Sequence, residues 1–172
     1  MKDTRYSGRA AVGAALLHVA AACAVSLTAT GTAVAKTEAA TSAQVERLQL
    51  VTANGVHALD VEIAVTPEQQ ALGLMYRTSL PDSKGMLFTH TTPREITMWM
   101  RNTYIPLDMV FIRADGTIHR IEARTEPLSE RIIASEGPVS AVLEIAGGAA
   151  ERMGLKAGDK VRHPAFGSEA SP

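Results

Sequence analysis

Residues 98 to 108, "MWMRNTYIPLD", gather an indole, a guanidinium, an amide, a hydroxyl and a carboxylate within one short stretch. A few polar groups beside an aromatic wall make the usual small-ligand site. In that reading Trp99 supplies the flat wall and Arg101 or Arg77 binds an anionic group. Asn102 and Thr103 hold the turn or the ligand, and Asp108 accepts from a ligand donor. The structural reading of the same residues is that Asn102 and Asp108 satisfy backbone donors and Arg101 pairs with an acid. Both readings stand on sequence alone.

Asp108 is the candidate catalytic group, because two carboxylates held within about 5 to 9.5 Å can do acid and base work on a sugar or ester. Its possible partners are Glu62, Glu126 and Glu144. The chain has no GxSxG elbow, no phosphate-binding glycine loop and no cysteine beyond Cys23, so nucleophilic and phosphoryl chemistry have no visible carrier. Met98 and Met100 alternate as they would on one face of a strand. As soft thioethers they are weak candidates for Cu(I), although alternating methionines more often fill a core. His57, His90, His119 and His163 are too widely spaced for a local metal motif. No cofactor is expected.

Lys2, Arg5 and Arg9 precede an uncharged, alanine-rich run from Ala10 to Ala29, and Ala33-Val34-Ala35 precede Lys36. This is the pattern of an export signal cleaved after Ala35, which places the protein in the periplasm or outside the cell with no lasting membrane anchor. Ala20-Ala21-Ala22-Cys23 is a faint lipidation signal, but apolar sequence continues past it. Removing the signal leaves a modestly acidic chain long enough for one domain and too short for two. Its charge gives no electrostatic reason to expect nucleic acid as a partner. Without Cys23 no disulfide is available, so burial must hold the fold.

Residues 36 to 44 read as a flexible tether, residues 45 to 166 as the domain and residues 167 to 172 as a disordered tail. Val45 to Thr52 and Val56 to Val65 predict two strands joined across Asn54-Gly55. Thr66-Pro67-Glu68-Gln69 combines an N-cap, a first-turn proline and a capping-box partner, predicting a helix to about Met75. Short β-branched runs predict further strands over Met86 to Thr89, Ile96 to Met100, Met109 to Arg113, Thr117 to Ala123, Ile132 to Ala134 and Val139 to Ala146. A second helix stopped by Gly154 and a last strand over Lys160 to His163 complete the domain. The expected class is α+β and β-dominated: a compact, barrel-like domain of seven to nine short, mainly antiparallel strands with two short helices.

"VEIAVTPEQQALGLMYRTSLPDSKGMLF", "WMRNTYIPLDMVFI" and "AVLEIAGGAAERMGLKAGDKV" occur in that order across about residues 57 to 163. Together they resemble the domain of unknown function 192, a family of small, often exported proteins. The resemblance makes Trp99, Met100, Asn102, Thr103, Pro106, Leu107 and Asp108 motif positions, with Arg101 where a basic residue is usual. It implies no activity. Met98 departs from the family, which usually has an aromatic residue there. The last segment is also similar to the helix and turn late in many PDZ domains, but it lacks their carboxylate-binding loop. The expected role is therefore a binding or accessory module for a small anionic or polar ligand, with a carboxylate-based hydrolase or a Met-based Cu(I) binder as alternatives.

Overall fold

The structure, a computed structural model, describes residues 43–168. The expected signal segment, Cys23, most of the tether and the last four residues lie outside the described residues. Nine strands and two α-helices are present among them: β1 (Gln44–Thr52), β2 (Gly55–Ala64), α1 (Pro67–Leu72), β3 (Lys84–Arg94), β4 (Thr97–Met98), β5 (Leu107–Ile112), β6 (Ile118–Glu122), β7 (Ile133–Ala134), β8 (Val139–Ala146), α2 (Ala149–Met153) and β9 (Lys160–Arg162). The domain is β-dominated α+β, as expected.

Seven strands form one sheet in the order β6-β5-β8-β3-β2-β1-β9. Within it β2 and β3 are parallel, joined through α1, and the other neighbours are antiparallel. The sheet curls until its two edges meet. Thr117 bridges Lys160, and the Val161 N–H donates to the Gly116 carbonyl at 2.8 Å. Joining the edges there removes unpaired backbone that would otherwise template aggregation.

Period-two alternation gives the sheet two faces. One face of all seven strands lines the inside of the curl with Leu48, Leu50, Leu59, Val61, Leu87, Val110, Leu143, Val161 and their neighbours, and α2 closes it with Ala149, Ala150 and Met153. The opposite face of the central strands β3, β5 and β8 builds a smaller core around Met86, Phe88, Met109, Phe111 and Val142. Leu74, just past α1, and Ile96, Met98, Met100 and Ile105 of the 95–105 segment cover it.

Several expected boundaries change: β3 runs over Lys84–Arg94 rather than Met86 to Thr89, and β5 over Leu107–Ile112 rather than Met109 to Arg113. The first helix ends at Leu72 because Gly73 takes φ 51° and ψ −136°, which breaks the helical path before Met75. The strand expected over Ile96 to Met100 reduces to Thr97–Met98, since only the two residues of β7 lie alongside to pair with it. Its alternation survives: Ile96 and Met100 are buried while Thr97 and Trp99 are exposed. Strand β1 begins at Gln44, inside the expected tether, because Gln44 pairs with Ile63.

Candidate functional site

Asp108 is fully buried on β5 and accepts three backbone hydrogen bonds. Oδ1 receives the N–H of Arg124 at 2.7 Å and of Gly148 at 2.9 Å, and Oδ2 receives the N–H of Ala150 at 2.8 Å. Helix α2 starts at Gly148, which has no side chain with which to cap its own N–H groups. Asp108 caps it from across the sheet, where the helix dipole also favours an anion. The Pro106 turn packs against the same corner. Its carbonyl accepts from the Gly147 N–H at 2.9 Å, and a Cβ on Gly147 would lie 2.9 Å from that oxygen.

Asn102 occupies the left-handed region at φ 57°, and its carbonyl accepts from the Tyr76 N–H at 2.8 Å. Thr103 is buried, its hydroxyl donates to the Arg101 carbonyl at 3.4 Å, and its own carbonyl accepts from the Leu128 N–H. Tyr76 and Leu128 also have positive φ, 63° and 62°. Bulky residues in that region carry strain of about 1 to 3 kcal/mol each. The two strained residues flank one turn, and both side chains are exposed.

Arg101 stacks on Trp99, with its guanidinium carbon 4.8 Å from the ring centre, and pairs with Glu130 at 3.3 Å. Arg77 makes a bidentate pair with Glu62 at 2.7 and 2.8 Å. Each arginine thus has its own acid, and Glu126 is exposed. Met98 is half-buried, whereas Met100 is sealed with its sulfur accepting from the Thr125 hydroxyl at 3.1 Å. The expected constellation does not line one pocket.

Part of it lines a cleft whose floor is Glu144. Leu72, Gly73, Leu74, Met75, Phe88, Met98, Trp99 and Thr103 are among the walls of a hollow of about 100 Å³. It adjoins a larger one, about 510 Å³, that shares Leu72 and Gly73 and carries Glu62 and Arg77. Gly73 is what leaves the floor open: a Cβ there would meet the Phe88 ring at 3.2 Å and lie 3.9 Å from Glu144 Oε2.

Strand register places Glu144 between Met86 on β3 and Met109 on β5, in the row that continues to Glu62 on β2. Only 4% of the residue is exposed. Among the described residues no hydrogen bond or ion pair reaches its carboxyl, which instead opens onto the cleft. Burial pushes that carboxyl up to about 8, against a smaller downward pull from the Arg77 guanidinium. It is therefore neutral at pH 7, able both to donate and to accept a hydrogen bond. A carboxyl perturbed by desolvation inside a cleft is a functional-site candidate on physical grounds. Asp108 is the register partner of Ile145, one residue along from Glu144, so the two acids point to opposite faces of the sheet. They cannot act as a pair.

Sequence reading named Glu144 only as a possible partner of Asp108 and did not single out Gly73 or Phe88. The available signal was a lone acid inside "AVLEIA", an otherwise apolar run of the kind that marks a central strand.

A family model described as an uncharacterized ACR family, domain of unknown function 192, matches residues 49–163. A provisionally assigned transcription regulator from Sinorhizobium meliloti 1021 has 46% identity to the chain, covering 73% of it and 98% of the other protein, with a TM-score of 0.70. A protein of unknown function from Novosphingobium aromaticivorans DSM 12444 has 43% identity, covering 70% and 86%, with a TM-score of 0.69. No curated protein matches the chain. The family model spans most of the described sheet, and the chain belongs to the domain of unknown function 192 family.

Proposed function

We propose that this protein is an exported cell-envelope module that binds a small polar ligand in the cleft floored by Glu144 and walled by Trp99. The observation that carries the reading is the Glu144 carboxyl, buried without a partner yet opening onto a cleft. A carboxyl that makes no hydrogen bond to the protein can both donate to and accept from a ligand in the hollow. Tyr76 follows Met75 of the lining and Leu128 donates its N–H to the carbonyl of Thr103, also in the lining, and both are strained and exposed. Export is supported by the basic start, the apolar run and Ala33-Val34-Ala35. It is checked by intact mass of the periplasmic fraction, where Lys36 is the expected first residue. A retained Met1 or a lipid on Cys23 would refute it.

The binding test is a thermal-shift screen of envelope metabolites. A ligand at a hundred times its Kd raises stability by about 2.7 kcal/mol. Trp99→Ala and Glu144→Gln should both remove the shift while remaining folded. A hit that survives both substitutions places binding elsewhere.

One observation favours a second reading. A carboxyl that stays protonated at neutral pH is in the form a general acid needs. The hydrolase reading also requires a second reacting group, and Glu62, the other acid in the row, is held by Arg77. Turnover of an ester or glycoside panel by the wild type, abolished by Glu144→Gln, would move the function to hydrolysis.

A further inference from the structure

We propose that the Glu144 cleft takes an organic cation, a primary ammonium or guanidinium group on a short apolar stem. The inference rests on the ligand-binding reading and goes further by fixing the sign of the ligand's charge. It also departs from the expectation that Arg77 and Arg101 would hold an anion.

The lining decides the sign. It contains one carboxyl and no lysine, arginine or histidine. Of its other donors, the Gln70 amide N–H₂ donates to the carbonyls of Ala64 at 3.1 Å and Thr89 at 3.2 Å and the Thr103 hydroxyl to the Arg101 carbonyl, while the Trp99 indole N–H and the Thr97 hydroxyl carry no charge. An anion in this hollow would face Glu144 with no charged donor to hold it. A cation would meet a carboxyl without a partner, beside the rings of Phe88 and Trp99 and the thioethers of Met75 and Met98. Aromatic faces attract cations, more strongly once water is excluded.

Arg94 and His90, on β3, belong to a neighbouring hollow that shares Gln70, Phe88, Thr97 and Met98, and the charged groups nearest Glu144 do not reverse the sign. Arg77, after α1, and Glu62, on β2, neutralise each other in their bidentate pair. Arg101 is turned to Trp99 and Glu130. The register neighbours on β3 and β5 are Met86 and Met109, which carry no charge. A hollow of about 100 Å³ is well below the ~300 Å³ where drug-sized sites begin, so it fits a charged head and a few carbons.

Binding has a proton balance. At neutral pH the carboxyl carries a proton in the free protein, and a cation stabilises the ionised form, so one proton leaves for solvent as one cation binds. Affinity should therefore rise about tenfold per pH unit from about pH 6 and level off near the Glu144 midpoint of about 8.

Trp99 is the only tryptophan in the chain and lines the cleft, so its indole signal reports occupancy. The full chain is titrated with butylammonium, methylguanidinium, butyramide and butyrate from about pH 6 to about pH 9, reading Trp99 fluorescence and its indole N–H resonance. The two cations should saturate the signal with the stated pH slope, butyramide should bind at least about tenfold more weakly, and butyrate should not bind. Glu144→Gln should weaken the cations at least about tenfold and flatten the slope, with a thermal melt confirming its fold. Should that variant not fold, the wild-type slope decides. Saturation by butyrate or butyramide but not by the cations overturns the charge assignment and leaves the ligand-binding reading standing. Silence from all four probes overturns both. Cation binding with no pH slope, or binding that survives Glu144→Gln, overturns Glu144 as the contact.

Discussion

Asp108 and Glu144 sit on adjacent central strands, one register step apart, and both are buried, yet their surroundings are opposite. Asp108 faces the α2 corner and receives three backbone N–H groups. Glu144 faces the smaller core and receives none. Burial of a carboxyl therefore says little about its role. What separates a structural acid from a candidate site is whether the fold satisfies it.

The largest test of that contrast is Asp108→Ala. It leaves three backbone N–H groups without their acceptor, each costing about 1 to 3 kcal/mol when buried. We expect a loss of roughly 3 to 5 kcal/mol, a large part of the ~5 to 15 kcal/mol that holds a domain together. Asp108→Asn keeps one acceptor oxygen but turns an N–H₂ toward a donor, so it should fall between wild type and alanine. Denaturant titration measures both. A loss under about 1 kcal/mol for the alanine variant would mean that α2 does not depend on its distant cap.

Glu144→Gln should have the opposite sign. The folded carboxyl titrates near 8 and the unfolded one near its ordinary 4.5. The folded state thus holds a proton that the unfolded state has lost, and wild-type stability falls by up to about 1.4 kcal/mol per pH unit between those values. Below about pH 4.5 the contribution is fully present, and above about 8 it is gone. Glutamine has no such slope, so the variant should match wild type near pH 5 and exceed it by pH 8. The comparison is made as a difference between the two proteins, because His90 and His163, both lowered by burial, contribute slopes of their own that cancel. Parallel stability profiles would show that Glu144 has a partner or is ionised in the folded protein.

Sequence carried the local parts of this molecule well. The hairpin at Asn54-Gly55, the Thr66 capping box and the alternation from Ile96 to Arg101 each depend on residues a few positions apart. Those interactions are written in the chain itself. The site is not local. Glu144 meets Met86, Met109 and Gly73 only after distant strands have paired, and Asp108 finds Ala150 across 42 positions of sequence. "LDMVFI" and "AVLEIA" look alike, each a lone acid in an apolar run. Which of the two acids receives a helix start is settled by which face each occupies, and register sets that. Gly147-Gly148 ahead of Ala149 was the one legible hint, since a helix beginning on glycine needs an acceptor from elsewhere.

Arg77 allows the smallest and most specific test of the contrast, because its guanidinium pulls the Glu144 carboxyl down while it holds Glu62 paired. Its side chain is 36% exposed and that of Glu62 is 28% exposed, so solvent screens the pair. Such pairs contribute at most about 1 kcal/mol, and Arg77→Gln should change stability by less than that at pH 5, where Glu144 is protonated in both proteins. The informative change is in titration. Removing the guanidinium takes away the one influence that lowers the Glu144 carboxyl and frees Glu62 as an unpaired anion in the same row, so Glu144 should titrate still higher than in wild type. The double substitution Glu62→Gln with Arg77→Gln removes both charges and should bring the midpoint back toward wild type. Following the Trp99 indole resonance against pH in the three proteins measures this directly. A midpoint that falls in Arg77→Gln would mean that the freed side chain of Glu62 moves away and lets water reach Glu144, and the buried, unpartnered acid would then be a property of the Arg77 clamp rather than of the sheet.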